Sequence, residues 1–368
     1  MAVFSPFVAY PKRLTRLRWP RLVSGPALAA VVAAAVVGCT SSPPATTGTG
    51  TGAGPAVPAL TAAQASQVFD AYVATTAQAA RTNDSALALS VTTGVQRAVL
   101  AATLKSVVDG FAYGTPSFSL PEAAGYPRFF LADVTRTFKG ATPADSTATR
   151  VGGATLPIDG PVLMVFEQAS TSAAWRLASV SRFPSGMALP RLATDGSGYV
   201  PAVPLSAALL AQPDVTGPLQ AAVVDDGPAS AATRAVAAGP LTTGLYQDHV
   251  DGLTAPRGDV YQWDLEGAPY PAFALRTASG GALVLYSMYL NSTITAPGVI
   301  SKASSIRQGP PIEVPADLVP LLPAGKPAPR DSLEDQQLFS FAAIDPPPGP
   351  AKVTVIAIGG GPDYAAAS

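Results

Sequence analysis

Apolar residues recur at helical spacing at the start of the first folded region. Thr61-Ala-Ala-Gln64 has the pattern of a capping box, in which two side chains bind backbone N–H groups at a helix start. An i, i+3, i+4 stripe follows, formed by Ala65, Val68, Phe69, Tyr72, Val73 and Ala80. The pattern predicts a helix that ends near residues 81–84, a short helix over 85–91, and a third over 93–108. The third helix opens on a second capping box, Thr93-Gly-Val-Gln96.

After Gly110 the pattern changes to the two-residue alternation of β-strands. A strand is predicted over 126–138, with Phe130, Ala132, Val134 and Phe138 on one face. Residues 161–168 and 174–183 predict two more strands joined by a turn. With the weaker alternation over 111–120, the first half predicts three helices followed by about four antiparallel strands.

The second half repeats this order. Short helical pieces are predicted over 205–211, 217–225, 228–238 and 241–250. Strands are predicted over 260–265, 271–277, 282–290, 338–344 and 352–358. Ala278-Ser-Gly-Gly281 separates two apolar runs and is a hairpin signal.

These patterns predict an α+β protein of two tandem modules, each with N-terminal helices packed on a curved antiparallel sheet. Glycines and prolines over 191–204 suggest the boundary between them. The predicted organisation is a signal peptide (1–38), a lipidated Cys with a disordered linker (39–59), a first module (60–195) and a second module with a disordered tail (196–368). We expect the tail to begin at Gly359.

The segment before residue 40 predicts export. Five basic residues precede an uninterrupted apolar run from Ala27 to Val37, which is the pattern of a secretory signal. The tetrapeptide that ends at Cys39, Val36-Val37-Gly38-Cys39, resembles the lipobox of bacterial lipoproteins, which implies a diacylglyceryl group on the Cys39 sulfur. Two acyl chains anchor a protein stably, so we expect palmitate on Cys39 and a position on the outer face of the plasma membrane. An uncleaved signal anchor and a freely secreted form are the alternatives.

Composition and charge exclude several classes of structure and function. Cys39 is the only cysteine, which excludes a disulfide framework. After removal of residues 1–38 the chain has 18 basic and 24 acidic residues, a net charge of −6. This balance argues against binding of nucleic acid, which needs a basic surface. The single histidine, His249, excludes metal sites that need several His or Cys ligands, so no metal and no cofactor are predicted.

One cluster could bind a ligand. Aromatic rings, one histidine and two carboxylates lie close together in the sequence, and such groups bind polar ligands or transfer protons. The cluster consists of Tyr246, Asp248, His249, Asp251, Tyr261 and Trp263. The alternative is an exposed helix end followed by a turn at Gly252. No G-x-S-x-G elbow, P-loop or H-E-x-x-H motif is present, so no catalytic residue is assigned.

Three further features have structural explanations that we favour. Asp225-Asp226-Gly227 lacks the ligand spacing of a calcium loop and is expected to be a solvated turn. Glu167 is expected on the solvent face of its strand, with a pocket as the alternative. The aromatic residues Tyr270, Phe273, Tyr286 and Tyr289 are expected in a sheet core, with a glycan or peptide groove as the alternative.

The chain resembles a family of actinobacterial lipoproteins that carry a domain of unknown function. The lipobox carries the resemblance, together with Leu60-Thr-Ala-Ala-Gln-Ala65, Tyr72-Val73 and Ala272-Phe-Ala-Leu-Arg-Thr-Ala-Ser-Gly-Gly-Ala282, over residues 60–345. The resemblance implies no catalytic residues. The module shape is similar to cystatin-like and nuclear-transport-factor-2-like folds, in which a curved sheet wraps a helix.

The sequence therefore predicts a non-enzymatic lipoprotein, anchored to the membrane through Cys39, that binds or scaffolds a cell-envelope partner. The alternative is a carrier or sensor of a small lipophilic or sugar ligand, and the third possibility is a hydrolase that uses His249. A closed apolar cavity above roughly 300 Å³ would favour the small ligand. A flat, exposed aromatic patch would favour a protein partner.

Overall fold

A computed structural model of the chain describes residues 57–58, 60–104, 110–123, 125–139, 148–252, 259–296, 311–324 and 328–368. The predicted signal peptide, Cys39 and most of the predicted linker lie outside these residues. The end of the linker region forms a short strand, β1 (Val57–Pro58), that pairs with a strand of the first half, so these two residues are part of the folded region.

Three helices open the first half: α1 (Ala62–Thr82), α2 (Ser85–Ser90) and α3 (Gly94–Thr103). The first capping box is confirmed, since Gln64 N–H donates to Thr61 Oγ1 and Thr61 N–H donates to Gln64 Oε1. The second box does not form, although α3 begins where it was predicted. Thr93 N–H instead donates to the Leu177 carbonyl, at 2.8 Å, so it is not available to Gln96.

The strands of the first half are β2 (Phe111–Tyr113), β3 (Ser117–Ser119), β4 (Pro121–Ala123), β5 (Arg128–Phe138), β6 (Ala148–Val151), β7 (Ala154–Pro157), β8 (Gly160–Gln168) and β9 (Arg176–Arg182). The strands predicted over 126–138, 161–168 and 174–183 correspond to β5, β8 and β9. A short strand, β10 (Val200–Pro201), pairs with β4 between the two halves.

The second half contains α4 (Thr216–Asp226) and α5 (Leu245–Gly252), with a π-helical turn over Pro240–Gly244 leading into α5. Its strands are β11 (Val260–Gly267), β12 (Phe273–Arg276), β13 (Ala282–Thr295), β14 (Ser332–Asp345) and β15 (Thr354–Ala367). Short 3-10 turns occupy Pro213–Val215, Gly227–Ala229, Ala231–Arg234 and Val319–Leu321. The helix predicted over 205–211 is absent, because this proline-flanked segment forms turns and bends.

Ten strands form one antiparallel sheet, so the predicted α+β class is confirmed. The main order is β11-β13-β14-β15-β9-β8-β5-β2, with β12 added beside β13 and β3 beside β5. The strands of the two halves meet at a seam between β15 and β9, where Ile358 pairs with Arg182. The module boundaries and the likeness to cystatin-like or nuclear-transport-factor-2-like folds stay predictions.

The sheet bends so that its two halves pack against each other. One apolar cluster contains Leu131 and Val165 of the first half together with Leu283 and Leu285 of the second. Phe129 and Phe273 stack across this inner face with ring centroids 4.1 Å apart. On the outer face, α1 packs on the first half, and α4 and α5 pack on the second.

The prediction of a disordered tail is wrong. Residues 359–367 continue β15, and they pair with β14 from Gly359↔Ser340 to Ala367↔Leu333. Three glycines and three alanines gave the segment a weak strand signal. The physical reason for the difference is that an added Cβ at Gly359 or Gly360 would overlap backbone atoms of the adjacent strands, so the close packing of the seam requires glycine there.

Candidate functional site

The only histidine lies inside the protein rather than at an exposed helix end. His249 on α5 is 2% exposed. Its Nδ1 has no hydrogen-bond partner among the residues that the structure describes. Burial lowers the pKa of His249 from 6.5 to about 4, because the charged imidazolium is poorly solvated there. The imidazole is therefore neutral at pH 7.

Two aromatic residues of β11 hold this imidazole. The ring centroids of His249 and Trp263 are 4.8 Å apart, and those of His249 and Tyr261 are 6.4 Å apart. Tyr261 and Trp263 stack on each other at 5.6 Å. Both rings point to the outer face because they alternate with exposed residues along β11. The structure thus brings together three of the six residues predicted for the site.

His249 lines a cavity on the outer face of the sheet. The volume of this cavity is about 60 Å³, which is below the roughly 300 Å³ that would favour a small ligand. Most of the lining is apolar, as illustrated by Leu156, Leu245, Leu265, Leu290, Phe339 and Ile358. Its polar lining includes Asp248, His249, Arg150, Arg182 and Gln337. Apolar walls with a few polar groups are the lining composition of small-molecule sites.

A hairpin from the first half closes one side of the cavity. Strands β6 and β7 are joined by Gly152 and Gly153, whose positive φ angles of 57° and 77° suit a two-residue hairpin turn. Gly152 N–H donates to Asp248 Oδ2 on α5. An added Cβ on Gly152 would overlap the Pro240 carbonyl, so the hairpin tip lies directly against the second half. The cavity wall is therefore shared by both halves.

Asp248 is the acidic residue beside the neutral His249 in the cavity lining. Burial is the largest influence on the Asp248 carboxyl and raises its pKa, while the hydrogen bond from Gly152 N–H lowers it. Nearby Asp251 raises this pKa and Arg150 lowers it. Because Asp248 is bonded to the hairpin, its main structural effect is to attach α5 to the cavity wall.

A buried polar row lies beside the aromatic pair on the outer face. Ser292 of β13 is paired with Trp263 and with Asp335, so the three residues form one row across three strands. Ser292 Oγ donates to Asp335 Oδ1, and Gln337 Nε2 donates to Asp335 Oδ2 at 3.2 Å. Burial raises the pKa of Asp335, and burial together with Asp335 raises that of Tyr261 to about 12. This row orients Gln337, which reaches the cavity.

Of the six predicted residues only Asp248 and His249 line the cavity, and the other four do not: Tyr246, Asp251, Tyr261 and Trp263. Tyr246 packs against Gly227, where an added Cβ would overlap the tyrosine ring. Asp251 is exposed and accepts a hydrogen bond of 2.8 Å from Gln247 Nε2 within α5. Neither residue is among those that line the cavity.

Sequence reasoning missed Arg150, Arg182 and Gln337 as lining residues. Each belongs to a strand, and its place in the cavity depends on pairing between distant parts of the chain. Arg182 reaches the site only because β9 pairs with β15 at Ile358. Alternation along β9 contains no information about the neighbours of Arg182 across the seam.

The other candidate features have structural explanations. Asp225 Oδ1 accepts from Leu265 N–H at 3.1 Å, so it attaches α4 to β11. Tyr286 is 7% exposed, and its hydroxyl donates to Gln220 Oε1 in the core. The prediction of a solvent face for Glu167 is wrong, because this side chain lines a smaller inner-face cavity beside Tyr270 and Phe273. Within the described ranges, no group of three or more His, Cys, Asp or Glu side chains could hold a metal ion.

Comparison with known proteins identifies the family of the chain. The model of the domain of unknown function DUF8094 matches residues 56–360. The chain belongs to the DUF8094 family. Both His249 and the two halves of the cavity wall lie within the DUF8094 region. No solved structure matches the chain.

A relative from Streptomyces coelicolor, an uncharacterized lipoprotein, is 27% identical to the chain over 250 residues. The aligned part covers 63% of this chain and 67% of the relative. The resemblance to actinobacterial lipoproteins with a domain of unknown function is thereby confirmed. In the part of the DUF8094 protein that the structure describes, no helix has both the length and the apolar character needed to cross a membrane.

Proposed function

We propose that this protein is a lipid-anchored lipoprotein on the outer face of the plasma membrane that binds a small, mainly lipophilic ligand and acts as its carrier or sensor. The observation that carries the proposal is the cavity between the two halves, with its apolar lining and one neutral, buried imidazole. An apolar wall favours a lipophilic ligand.

The proposed location has separate support. The basic and apolar leader ends in Gly38-Cys39, and the Streptomyces relative is a lipoprotein by name. A diacylglyceryl group on Cys39 would supply the two chains that stable anchoring requires. Cys39 lies outside the described residues, so lipidation is part of the proposal.

A scaffolding role for an envelope protein is the second candidate, as predicted from the sequence. It receives less support, because few large apolar side chains are exposed in the described residues: Tyr126, Val215, Val260, Val319 and Tyr364. A protein partner would favour a contiguous apolar patch.

A hydrolase needs a base that contacts both a nucleophile and an orienting group. His249 Nδ1 has no partner among the described residues, and its ring packs on Trp263. The arrangement therefore supports binding better than nucleophilic catalysis.

Photolabelling can test the binding function. The probe is a neutral long-chain alcohol that carries a diazirine, added to the full-length protein in its native membrane, with the labelled peptides mapped by mass spectrometry. We expect label on β14 and α5 in the wild type. Val151→Trp, which places an indole at the cavity wall, should lower this labelling about tenfold, equivalent to ~1.4 kcal/mol of binding free energy.

Thr155→Trp is the matched control, because Thr155 is exposed on the same hairpin and does not line the cavity. It should label as strongly as the wild type. Equal labelling of Val151→Trp and wild type, or label confined to exposed side chains, would show that the cavity does not bind the alcohol.

A further inference from the structure

We propose that one end of the sheet in the first half contacts the membrane surface and binds anionic lipid headgroups there. This surface, called the β5–β8 end, consists of Tyr126, Arg128, the turn over 169–175 and Arg176. The inference rests on the lipid anchor at Cys39 proposed above, and it adds which surface of the folded protein faces the bilayer.

Strand pairing brings these residues to one end of the sheet. Arg128, the first residue of β5, pairs with Gln168, the last residue of β8. The turn over 169–175 then joins β8 to β9, whose first residue is Arg176. Tyr126 precedes Arg128 by two positions. All of these residues therefore lie where β5 begins and β8 ends.

The chain that follows Cys39 enters the fold at the same end. β1 pairs antiparallel with β4, with Pro58 opposite Glu122 and Val57 opposite Ala123. From Pro58 to Val57 the chain therefore runs along β4 towards Tyr126, which follows Ala123 by three positions. The predicted linker has 17 residues between Cys39 and Val57, and a coil of that length spans roughly 23 Å. A lipid on Cys39 would hold the β5–β8 end close to the bilayer.

The aromatic and basic side chains of this end are of the kinds found at membrane interfaces. Tyr126 is 38% exposed, and the guanidinium carbon of Arg128 lies 4.9 Å from the centroid of its ring. Trp175 is half-buried, and Arg176 beside it is exposed. Tyr and Trp rings favour the headgroup level because they combine an apolar body with a polar tip, and guanidinium groups bind phosphate oxygens.

The turn between β8 and β9 can approach lipid headgroups without loss of a charge. It reads Ala-Ser-Thr-Ser-Ala-Ala-Trp and contains no charged residue. Residues 169–172 and Ala174 are exposed. Partial removal of water from small neutral side chains costs less free energy than its removal from charged ones.

The charges of the two halves favour the same orientation. Strands β2 to β9 contain five arginines and three acidic residues, a formal net charge of +2. Strands β11 to β15 contain one arginine and six acidic residues, a formal net charge of −5. An anionic lipid surface therefore attracts the first half and repels the second.

Two single-thiol variants of the mature, lipidated protein can test this orientation, because an acylated Cys39 leaves no other free thiol. Ser172→Cys places the thiol in the turn of the β5–β8 end. Ser279→Cys is the matched control, since it lies in the exposed turn between β12 and β13 of the second half. Each serine hydroxyl contacts one neighbouring hydroxyl, at 3.3 Å for Ser172 and 3.0 Å for Ser279.

The thiols are labelled with a small environment-sensitive fluorophore, and the proteins are reconstituted into vesicles of phosphatidylcholine with about one-third phosphatidylglycerol. Lipids with a nitroxide on the headgroup serve as quencher. We expect the probe at position 172 to be quenched at least about threefold more strongly than the probe at position 279, because only the first lies at the headgroup level.

The charge of the headgroups is tested with a second substitution in the Ser172→Cys protein. Arg176→Gln should lower quenching about twofold in the vesicles with phosphatidylglycerol and leave it unchanged in vesicles of phosphatidylcholine alone. Arg191→Gln is the control, because Arg191 is exposed and lies outside the β5–β8 end. It should leave quenching unchanged in both kinds of vesicle.

Equal quenching at positions 172 and 279, in protein that floats with the vesicles, would overturn the membrane contact and leave the lipid anchor in place. Strong quenching at position 172 that Arg176→Gln does not change would overturn the binding of anionic headgroups. Protein that does not float with the vesicles, and whose Cys39 carries no diacylglyceryl mass, would overturn the proposed anchor and this inference with it.

Discussion

His249 is buried in neutral form, and this has a measurable consequence for stability. Its folded pKa of about 4 lies below the value of 6.5 expected when the residue is solvated. Between these pH values the unfolded chain binds more protons than the folded protein. The contribution of the neutral His249 to the free energy of unfolding is therefore complete above pH 6.5 and is lost as the pH falls towards 4. Its full size is about 3 kcal/mol, from 2.5 pH units at ~1.36 kcal/mol each.

The first prediction concerns His249→Phe, which keeps an aromatic ring against Trp263. The variant should unfold with nearly the wild-type free energy at pH 7, and it should be more stable than wild type by about 2 kcal/mol at pH 4.5. Urea unfolding across this range measures the difference. Burial raises the pKa values of three carboxyl groups to about 6, which gives stability the opposite pH dependence: Asp225, Asp345 and Asp363. Both proteins contain these groups, so their contribution cancels in the difference between the two proteins. A constant difference from pH 7 to 4.5 would contradict a buried neutral imidazole.

The second prediction compares two adjacent glycines of the β6–β7 turn. Both have positive φ, so alanine should cost about 1 kcal/mol at either position from backbone strain alone. Gly152→Ala should cost at least about 2 kcal/mol more, because its Cβ overlaps the Pro240 carbonyl. Gly153→Ala is the control, since nothing lies within 4 Å of its added Cβ. Equal losses in urea unfolding would mean that the hairpin does not pack on the second half.

Part of this site was predictable from the sequence, because some of its residues are close together in the chain. Tyr261, Trp263 and His249 lie within fifteen positions of one another, and alternation along β11 places both rings on one face. Tyr246 is as close in sequence, yet the helical turn directs it towards Gly227 instead. Arg182 could not be predicted, because its position depends on a strand pairing between the two halves.

The helix starts show how local signals succeed or fail. Thr61-Ala-Ala-Gln64 and Thr93-Gly-Val-Gln96 have the same pattern, and helices begin at both. Only the first forms its side-chain bonds, because Thr93 N–H is bonded to Leu177 of β9. The sequence contains the pattern but not the competing tertiary partner. The strand over 359–367 was missed for a related reason, since backbone pairing with β14 outweighs its weak side-chain signal.

The third prediction follows from these two starts. Thr61→Ala should cost about 1 kcal/mol of folding stability, because α1 loses an N-cap bond. Thr93→Ala should cost no more than a few tenths of a kcal/mol, since its side chain makes no cap bond. Thermal or urea unfolding of the two variants measures both values. Equal costs would contradict the difference between the two helix starts.

The joining of the two halves depends on glycine at the seam. Gly359 lies between β9 and β14, and an added Cβ would overlap the Val180 carbonyl. Beside it, the hydroxyls of Ser181 and Ser340 form a buried hydrogen bond of 3.0 Å between the two halves. The sequence predicted the two helix-and-strand halves but not their union in one sheet, because a run of glycines contains no information about its partner strand.

The fourth prediction tests this seam. Gly359→Ala should destabilise the protein by about 3 kcal/mol or more, because backbone atoms of β9 must move to admit the methyl group. It should also weaken labelling of the cavity, whose floor includes Gly359. Gly267→Ala is the control, because it lies on β11 with nothing within 4 Å of its added Cβ. A Gly359→Ala protein as stable as this control would contradict the close packing of the seam.

A crystal structure of the mature protein grown with decanoate would show directly whether the cavity binds a lipophilic ligand. We expect density for one chain on the outer face of the sheet, in the cavity lined by Leu290, Phe339 and His249. A cavity that contains only water at saturating decanoate, or a chain bound elsewhere on the protein, would contradict this expectation.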